Sequence, residues 1–233
     1  MDFISKLGKD LVSLVYPKQC IGCNSQKGEN TNIYCITCNS KIGYTDHFEI
    51  KNNELIKRIS PRINPQHGAA LFEYIKEGLV QKAIHGLKYS GRFDLGNNLG
   101  KTFGRSYILS PHFSKADYII PIPIHNSKRR KRGYNQSYEF AKGIFDVTDI
   151  PILEKVLVKK SKTTTQTKKG RTDRFDQVLG SFSLQSPEVL KGMTILIVDD
   201  VLTTGATIEA AYTLLNEIEN ITIQLGLIAI ANN

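Results

Sequence analysis

The sequence predicts an α/β fold, a mostly parallel sheet with helices on both faces, and three observations carry that reading. Apolar runs of strand length alternate with amphipathic helical stretches over short connections. The largely apolar run at residues 193–198 reads as a strand buried on both faces. It feeds two adjacent carboxylates, Asp199 and Asp200, then a small polar turn and a helical pattern. Ligands of open α/β sheets bind beyond such strand ends.

The elements follow in order. Phe3, Ile4, Leu7, Leu11, Leu14 and Val15 fall on one helical stripe and read as a short helix packed on its own protein. Residues 16–44 hold all four cysteines. Residues 48–67 are polar, carry Pro61 and Pro65, and read as a connection or small cap. A strand is expected at 68–74. A helix is expected at 77–88, with Leu79, Val80, Ala83, Ile84 and Leu87 on one side, and another at 93–107. Residues 118–124 read as an apolar strand followed by a loop, and Asn135 as the cap of a helix running to about Gly143. Strands at 153–158 and 178–184 flank a long polar connection. A helix at 206–217 and a strand at 221–230 close the chain. The expected division is a helix and Cys₄ module in residues 1–45, a connection or cap in 46–75, and the α/β domain in 76–233.

The formal charge is +9, from 31 Lys and Arg against 22 Asp and Glu. That favours polyanionic partners, phosphorylated metabolites or nucleic acid. Much of the excess is local. Lys128, Arg129, Arg130, Lys131 and Arg132 are consecutive, and residues 159–174 hold seven basic side chains against one acidic. No apolar run is long enough for a membrane span. The N-terminal apolar residues are interrupted by Lys6, Lys9 and Asp10, unlike a secretory signal, so a cytoplasmic protein is expected. There is no G-x-x-x-x-G-K-[ST] and no G-x-G-x-x-G after a strand, which disfavours P-loop and dinucleotide sites.

Cys20, Cys23, Cys35 and Cys38 give the pattern C-x₂-C-x₁₁-C-x₂-C. Two such knuckles suit a tetrahedral, structural zinc site with no open position for a substrate. Two disulfides would fit a secreted protein, and an iron–sulfur centre shares the spacing. Zinc is the favoured reading.

The turn after the acidic pair holds Val201, Leu202, Thr203, Thr204, Gly205, Ala206 and Thr207. Hydroxyls and unpaired N–H groups at a helix N-terminus bind phosphate. The neighbouring carboxylates, expected to face solvent, suit sugar hydroxyls or a hydrated Mg²⁺. The combination reads as a site for a phosphorylated sugar; the plainer reading is a turn whose Asp and Thr residues only cap the helix. Lys88 and Arg92 flank a glycine turn that a helix C-terminus explains without function.

Residues 198–207, V-D-D-V-L-T-T-G-A-T, closely resemble the phosphoribosyl pyrophosphate (PRPP) motif of type I phosphoribosyltransferases. The whole chain resembles the ComF family of competence-associated proteins. The likeness lies in the cysteines, I-H-G-L-K-Y-S-G-R (84–92), P-I-P-I-H-N-S-K-R-R-K-R-G-Y-N-Q (121–136), T-x-x-Q (163–166) and the PRPP motif. The resemblance implies a type I phosphoribosyltransferase-like fold. In it Asp199 and Asp200 would hold the ribose hydroxyls, and residues 201–207 the 5-phosphate. His125, Asn126 and Ser127 would lie beside the diphosphate with Mg²⁺, and Lys88 and Arg92 would point toward the phosphates. Arg171 and Arg174 would sit in a loop closing over PRPP. Lys169 and Gln177 depart from the family pattern of that loop. The reaction implied is displacement of pyrophosphate from PRPP. The competing implication is a non-catalytic competence protein that holds single-stranded DNA through residues 128–132, working with other competence proteins.

Overall fold

A computed structural model describes residues 19–27, 33–160 and 180–231. The N-terminal stripe and most of the polar connection, with Thr163, Gln166, Lys169, Arg171, Arg174 and Gln177, lie outside the described residues.

Helix α1 (Ile36–Asn39) belongs to the cysteine module, and α2 (Glu54–Ile59) is capped by the Asn53 side chain. Strand β1 (His67–Tyr74) leads to α3 (Leu79–Tyr89) and α4 (Phe93–Leu109). Strand β2 (Tyr118–Pro121) is followed by α5 (Asn126–Arg132) and α6 (Gln136–Thr148). Strands β3 (Leu157–Lys159) and β4 (Phe182–Leu184) pair antiparallel. Then come β5 (Thr194–Leu202), α7 (Ala206–Leu215) and β6 (Thr222–Ala231).

The main sheet is parallel, in the order β1-β6-β5-β2. Its central strands are buried on both faces. Leu196 and Val198 of β5 pack on one side with α3, α4 and α6, while Ile195 and Ile197 pack on the other with α2, α7 and the β3–β4 hairpin. The helix after β2 and the helix after β5 therefore cover opposite faces. The crevice between the C-terminal ends of β2 and β5 is the switch point at which such sheets bind ligands. Register places it: Pro121 pairs with Val198, and the Ile122 N–H donates to the Val198 carbonyl at 2.9 Å. The chain leaving β2 thus runs beside Asp199.

Helices α4 and α6 touch backbone to backbone. A Cβ on Gly100 would lie 2.1 Å from the Phe140 carbonyl oxygen, and one on Gly143 would lie 1.9 Å from the Asn97 carbonyl oxygen. This approach seats the start of α6 against the sheet.

Several expectations change. The strand at 193–198 runs on to Leu202, so the acidic pair lies within its last residues. The helix begun at Asn135 continues to Thr148. The polar segment 48–67 contains α2, held by Leu55 and Ile59, both buried. The expected strand at 118–124 is regular only to Pro121, since the prolines at 121 and 123 cannot donate to a ladder. The loop expected over residues 125–132 is helical. His125 caps it by accepting from the Ser127 N–H, and Gly133 at φ 83° ends it.

Candidate functional site

Both carboxylate oxygens of Asp200 accept from protein donors. Lys88 Nζ is 2.8 Å from Oδ2, Gln136 Nε2 donates to the same oxygen at 3.1 Å, and the Val201 N–H donates to Oδ1 at 2.7 Å. The residue is 6% exposed, which corrects the expectation of a solvent-facing pair. Removing one partner of a buried ion pair strands the other, a cost of about 3–5 kcal/mol. Asp200 thus serves as a fixed anchor as well as a charge.

Asp199 is partly buried. Its Oδ1 accepts from Ser137 Oγ at 2.8 Å and from the Asp200 N–H at 2.9 Å. Burial first, then the Asp200 charge, push its pKa up to about 7, against the opposing pull of Ser137 and Lys88. Its folded pKa lies above the unfolded one. The contribution to stability is therefore full at acid pH and is lost as pH rises toward 7. A carboxylate kept at such a cost beside a crevice marks a functional candidate.

Gln136 and Ser137 were missed as site residues by sequence reading, which gave Asn135 a capping role. The cap is real: Asn135 Oδ1 accepts from the Ser137 N–H at 3.1 Å, and its Nδ2 donates to the Ile122 carbonyl at 3.0 Å. Yet Asn135, Gln136, Ser137 and Glu139 are all buried. Four buried polar side chains in one helix start serve more than a cap. Their signal was the adjacency of Asn, Gln and Ser after a glycine turn.

The loop after β5 carries Thr203, Thr204 and Gly205, the last at φ 83° at the N-terminus of α7. This is the expected strand–turn–helix. Lys88 reaches the site and Arg92 does not: its guanidinium grips Asp94 through Nε and Nη2, each at 2.8 Å. His125 Nδ1 lies 2.7 Å from Ser127 Oγ, while its Nε2 is buried without a partner. The Ser127 N–H also donates to Nδ1 at 3.1 Å, so the neutral ring carries its proton on Nε2. Residues 128–131 are exposed along α5, and Arg132 is half-buried. Arg129 pairs with Glu154 at 3.2 Å, Arg132 Nη1 donates to Gln136 Oε1 at 2.8 Å, and the Arg132 guanidinium lies over the Tyr89 ring at 5.3 Å. Lys159, at the hairpin, lies 4.7 Å from the centre of the Phe182 ring; burial and then Lys128 lower its pKa, against Asp199.

The four cysteine sulfurs lie within 4.8 Å of one another. Cys23 and Cys35 Sγ are 3.8 Å apart. Zn–S bonds of about 2.3 Å in a tetrahedron put sulfurs about 3.8 Å apart, so the donor set fits. Backbone N–H groups already aim at the sulfurs: Cys35 and Gly22 at Cys20, at 3.2 and 3.4 Å, and Cys38 at Cys35, at 3.4 Å. The Ser25 hydroxyl and amide hold the Cys23 thiol down at about 6, while burial and neighbouring thiols push Cys38 up to about 12. Crowded thiols oppose each other's ionisation, and a dication removes that conflict. The module packs on α3: Tyr34 donates to the Leu79 carbonyl at 3.0 Å and Lys82 to the Gly22 carbonyl at 2.8 Å. One helix therefore carries the cysteine module near its start and Lys88 at its end.

A family model described as the phosphoribosyl transferase domain matches residues 135–230. Competence protein F of Haemophilus influenzae is 33% identical over 109 residues, covering 46% of this chain and 44% of that protein. Competence protein ComFC of Bacillus subtilis is 24% identical over 200 residues, covering 83% and 76%. The chain thus spans less than half of the first relative and about three quarters of the second. Adenine phosphoribosyltransferase of Saccharomyces cerevisiae superposes with a TM-score of 0.40 at 17% identity, over 59% of this chain and 69% of that one. The fold assignment rests instead on strand order, the switch-point crevice and the family model. No helix among the described residues is long and apolar enough to cross a membrane.

Proposed function

We propose that this chain, a ComF-family protein with a phosphoribosyltransferase-like domain, binds PRPP in the crevice between β2 and β5. The observation that carries the reading is the end of β5. Two carboxylates, anchored by Lys88, Gln136 and Ser137, stand directly before a small polar loop that opens a helix. Asp199 and Asp200 hold the ribose hydroxyls, and residues 203–207 take the 5-phosphate on backbone N–H groups and threonine hydroxyls. His125, Asn126 and Ser127 lie beside the diphosphate, with His125 Nε2–H as an available donor. Asp199 and Asp200 are the carboxylates that would hold a hydrated Mg²⁺, which would supply charge compensation for the diphosphate.

The reaction such a site supports is a displacement at C1. The bond from C1 to the diphosphate oxygen breaks, the diphosphate leaves with the electron pair, and a nucleophile forms the new bond. No protein nucleophile is needed. The protein supplies position and compensating charge. The cysteines hold a structural zinc.

A second reading has its own observation: α5 presents five consecutive basic residues, four of them exposed and Arg132 half-buried. On that reading α5 contacts the backbone of single-stranded DNA, with the pocket retained for a phosphate. Two titrations test the pair, one with Mg²⁺–PRPP and one with a labelled single-stranded oligonucleotide over a salt series. Each uses the wild type and the Arg129→Ala/Arg130→Ala/Lys131→Ala variant. Each phosphate contact adds about 0.7 to the salt slope for a single strand. The PRPP reading expects saturable Mg²⁺–PRPP binding by the wild type, and its absence contradicts it. The DNA reading expects a flatter slope in the variant, and superimposable curves return α5 to the small-molecule pocket.

A further inference from the structure

Helix α2 lies in the segment that sequence reading left as a connection, yet it and the turn after it grip the loop after β5. Arg58 of α2 and Arg62 of the following turn donate to two consecutive carbonyls of that loop. Arg58 Nη2 lies 3.0 Å from the Thr203 oxygen and Arg62 Nη1 lies 2.9 Å from the Thr204 oxygen. The same guanidinium forks reach further. Arg58 donates through Nη1 to the Ala231 carbonyl at the end of β6, and Arg62 pairs with Glu209 in the first turn of α7 at 3.0 Å. Tyr212 Oη donates to the Asn64 carbonyl at 2.8 Å and closes the same joint. A planar fork spans two acceptors at fixed spacing, which a lysine ammonium does less well.

The consequence lies in the peptide planes. Across a trans peptide, the C=O of one residue and the N–H of the next point in opposite directions. Drawing the Thr203 and Thr204 carbonyls toward α2 therefore turns the N–H groups of Thr204 and Gly205 away from it. Among the described residues neither N–H meets a protein acceptor. Gly205 suits the arrangement, because a Cβ there would lie 3.0 Å from Arg62 Nη2. A loop whose carbonyls are tied behind and whose amides are open in front is a cradle for an anion.

We propose that Arg58 and Arg62 are positioning residues of the phosphate loop: they fix its carbonyls on one side and so aim the Thr204 and Gly205 amides at a sugar 5-phosphate on the other. The inference rests on the pocket assignment above and adds what organises it. Neither arginine touches the ligand.

The test is an ¹⁵N–¹H titration with ribose 5-phosphate of the wild type, Arg62→Met, Arg62→Lys and Arg58→Gln, with melting temperature as the check on folding. In the wild type the Thr204 and Gly205 amides should shift on binding. Arg62→Met should bind about tenfold or more weakly and lose mainly the Gly205 shift, while other shifts in the site persist. Arg62→Lys, which keeps one donor and the charge, should recover part of both. Arg58→Gln should weaken binding and lose mainly the Thr204 shift, and it keeps the test decisive if Arg62→Met fails to fold. Wild-type affinity with unchanged amide shifts in folded Arg62→Met or Arg58→Gln overturns the inference alone. Absence of any shift in the wild type overturns the pocket assignment and the inference with it.

Discussion

Replacing Gly100 by alanine should lower the melting temperature by up to about 8 °C, although alanine is the better helix former. The intrinsic gain is about 1 kcal/mol. Against it, the new Cβ would lie 2.1 Å from the Phe140 carbonyl oxygen, a backbone atom that cannot rotate away. Helices α4 and α6 would have to separate by more than an ångström along a face lined by Leu99, Phe103, Phe140 and Ile144, all buried. Overpacking of this kind costs roughly 1–3 kcal/mol and sometimes more, and each kcal/mol is worth about 2–4 °C for a domain of this size. The matching substitution Gly143→Ala should act similarly, since its Cβ would meet the Asn97 carbonyl. Thermal melts of both variants check this. Unchanged melting would mean that the two helices do not touch through these glycines. Because α6 carries Gln136 and Ser137, the same variants should also disturb the anchoring of Asp199 and Asp200.

Replacing Cys35 by serine should abolish tight metal binding and unfold the cysteine module. Structural zinc binding is folding free energy, about 10–16 kcal/mol for small zinc modules. Little regular structure among the described residues holds this one together, although Ile33, Tyr34 and Ile42 join the core of the α/β domain. Its helix α1 has four residues, and its anchor on α3 is a few contacts at Leu79, Lys82 and Gly86. Elemental analysis should find one zinc per wild-type chain and none in the variant. Proteolysis should cut the variant between Cys20 and Cys38 first. A wild-type protein that is fully folded without metal would contradict the zinc assignment.

Much of this was legible in the sequence, for identifiable reasons. A strand buried on both faces is an apolar run, and β5 announced itself that way before its carboxylates. The cysteine spacing announced a knuckle pair, because tight turns fix that spacing locally. Helices α3, α4, α6 and α7 follow their apolar periodicity. What was not legible depends on contacts far apart in the chain. The Lys88–Asp200 pair joins residues on separate elements, and a lysine before a glycine turn carries no mark of it. Helix α5 was read as a loop because five like charges in a row oppose helix formation. It forms through its His125 and Gly133 caps and the contacts of Arg129 and Arg132 with Glu154 and Gln136. Helix α2 is too short for periodicity, and only Leu55 and Ile59, four apart behind Asn53, hint at it. The acidic pair was found, but its burial was not, because sequence does not show which side chains will close over a strand end.

The most direct test of the account is calorimetry of Mg²⁺–PRPP binding at pH 8, where Asp199 is largely ionised given a pKa of about 7. The comparison is wild type against Asp199→Asn/Asp200→Asn. Asparagine is the right probe because Asp200 is buried, and its shape must be kept for Gln136 and the Val201 N–H. Each lost charge-assisted hydrogen bond is worth about 1.5–3 kcal/mol. The account predicts saturable binding by the wild type, one PRPP per chain, and an affinity at least about tenfold weaker in a folded variant. Equal affinities in the two proteins, or no heat of binding from the wild type with Mg²⁺ present, would contradict it.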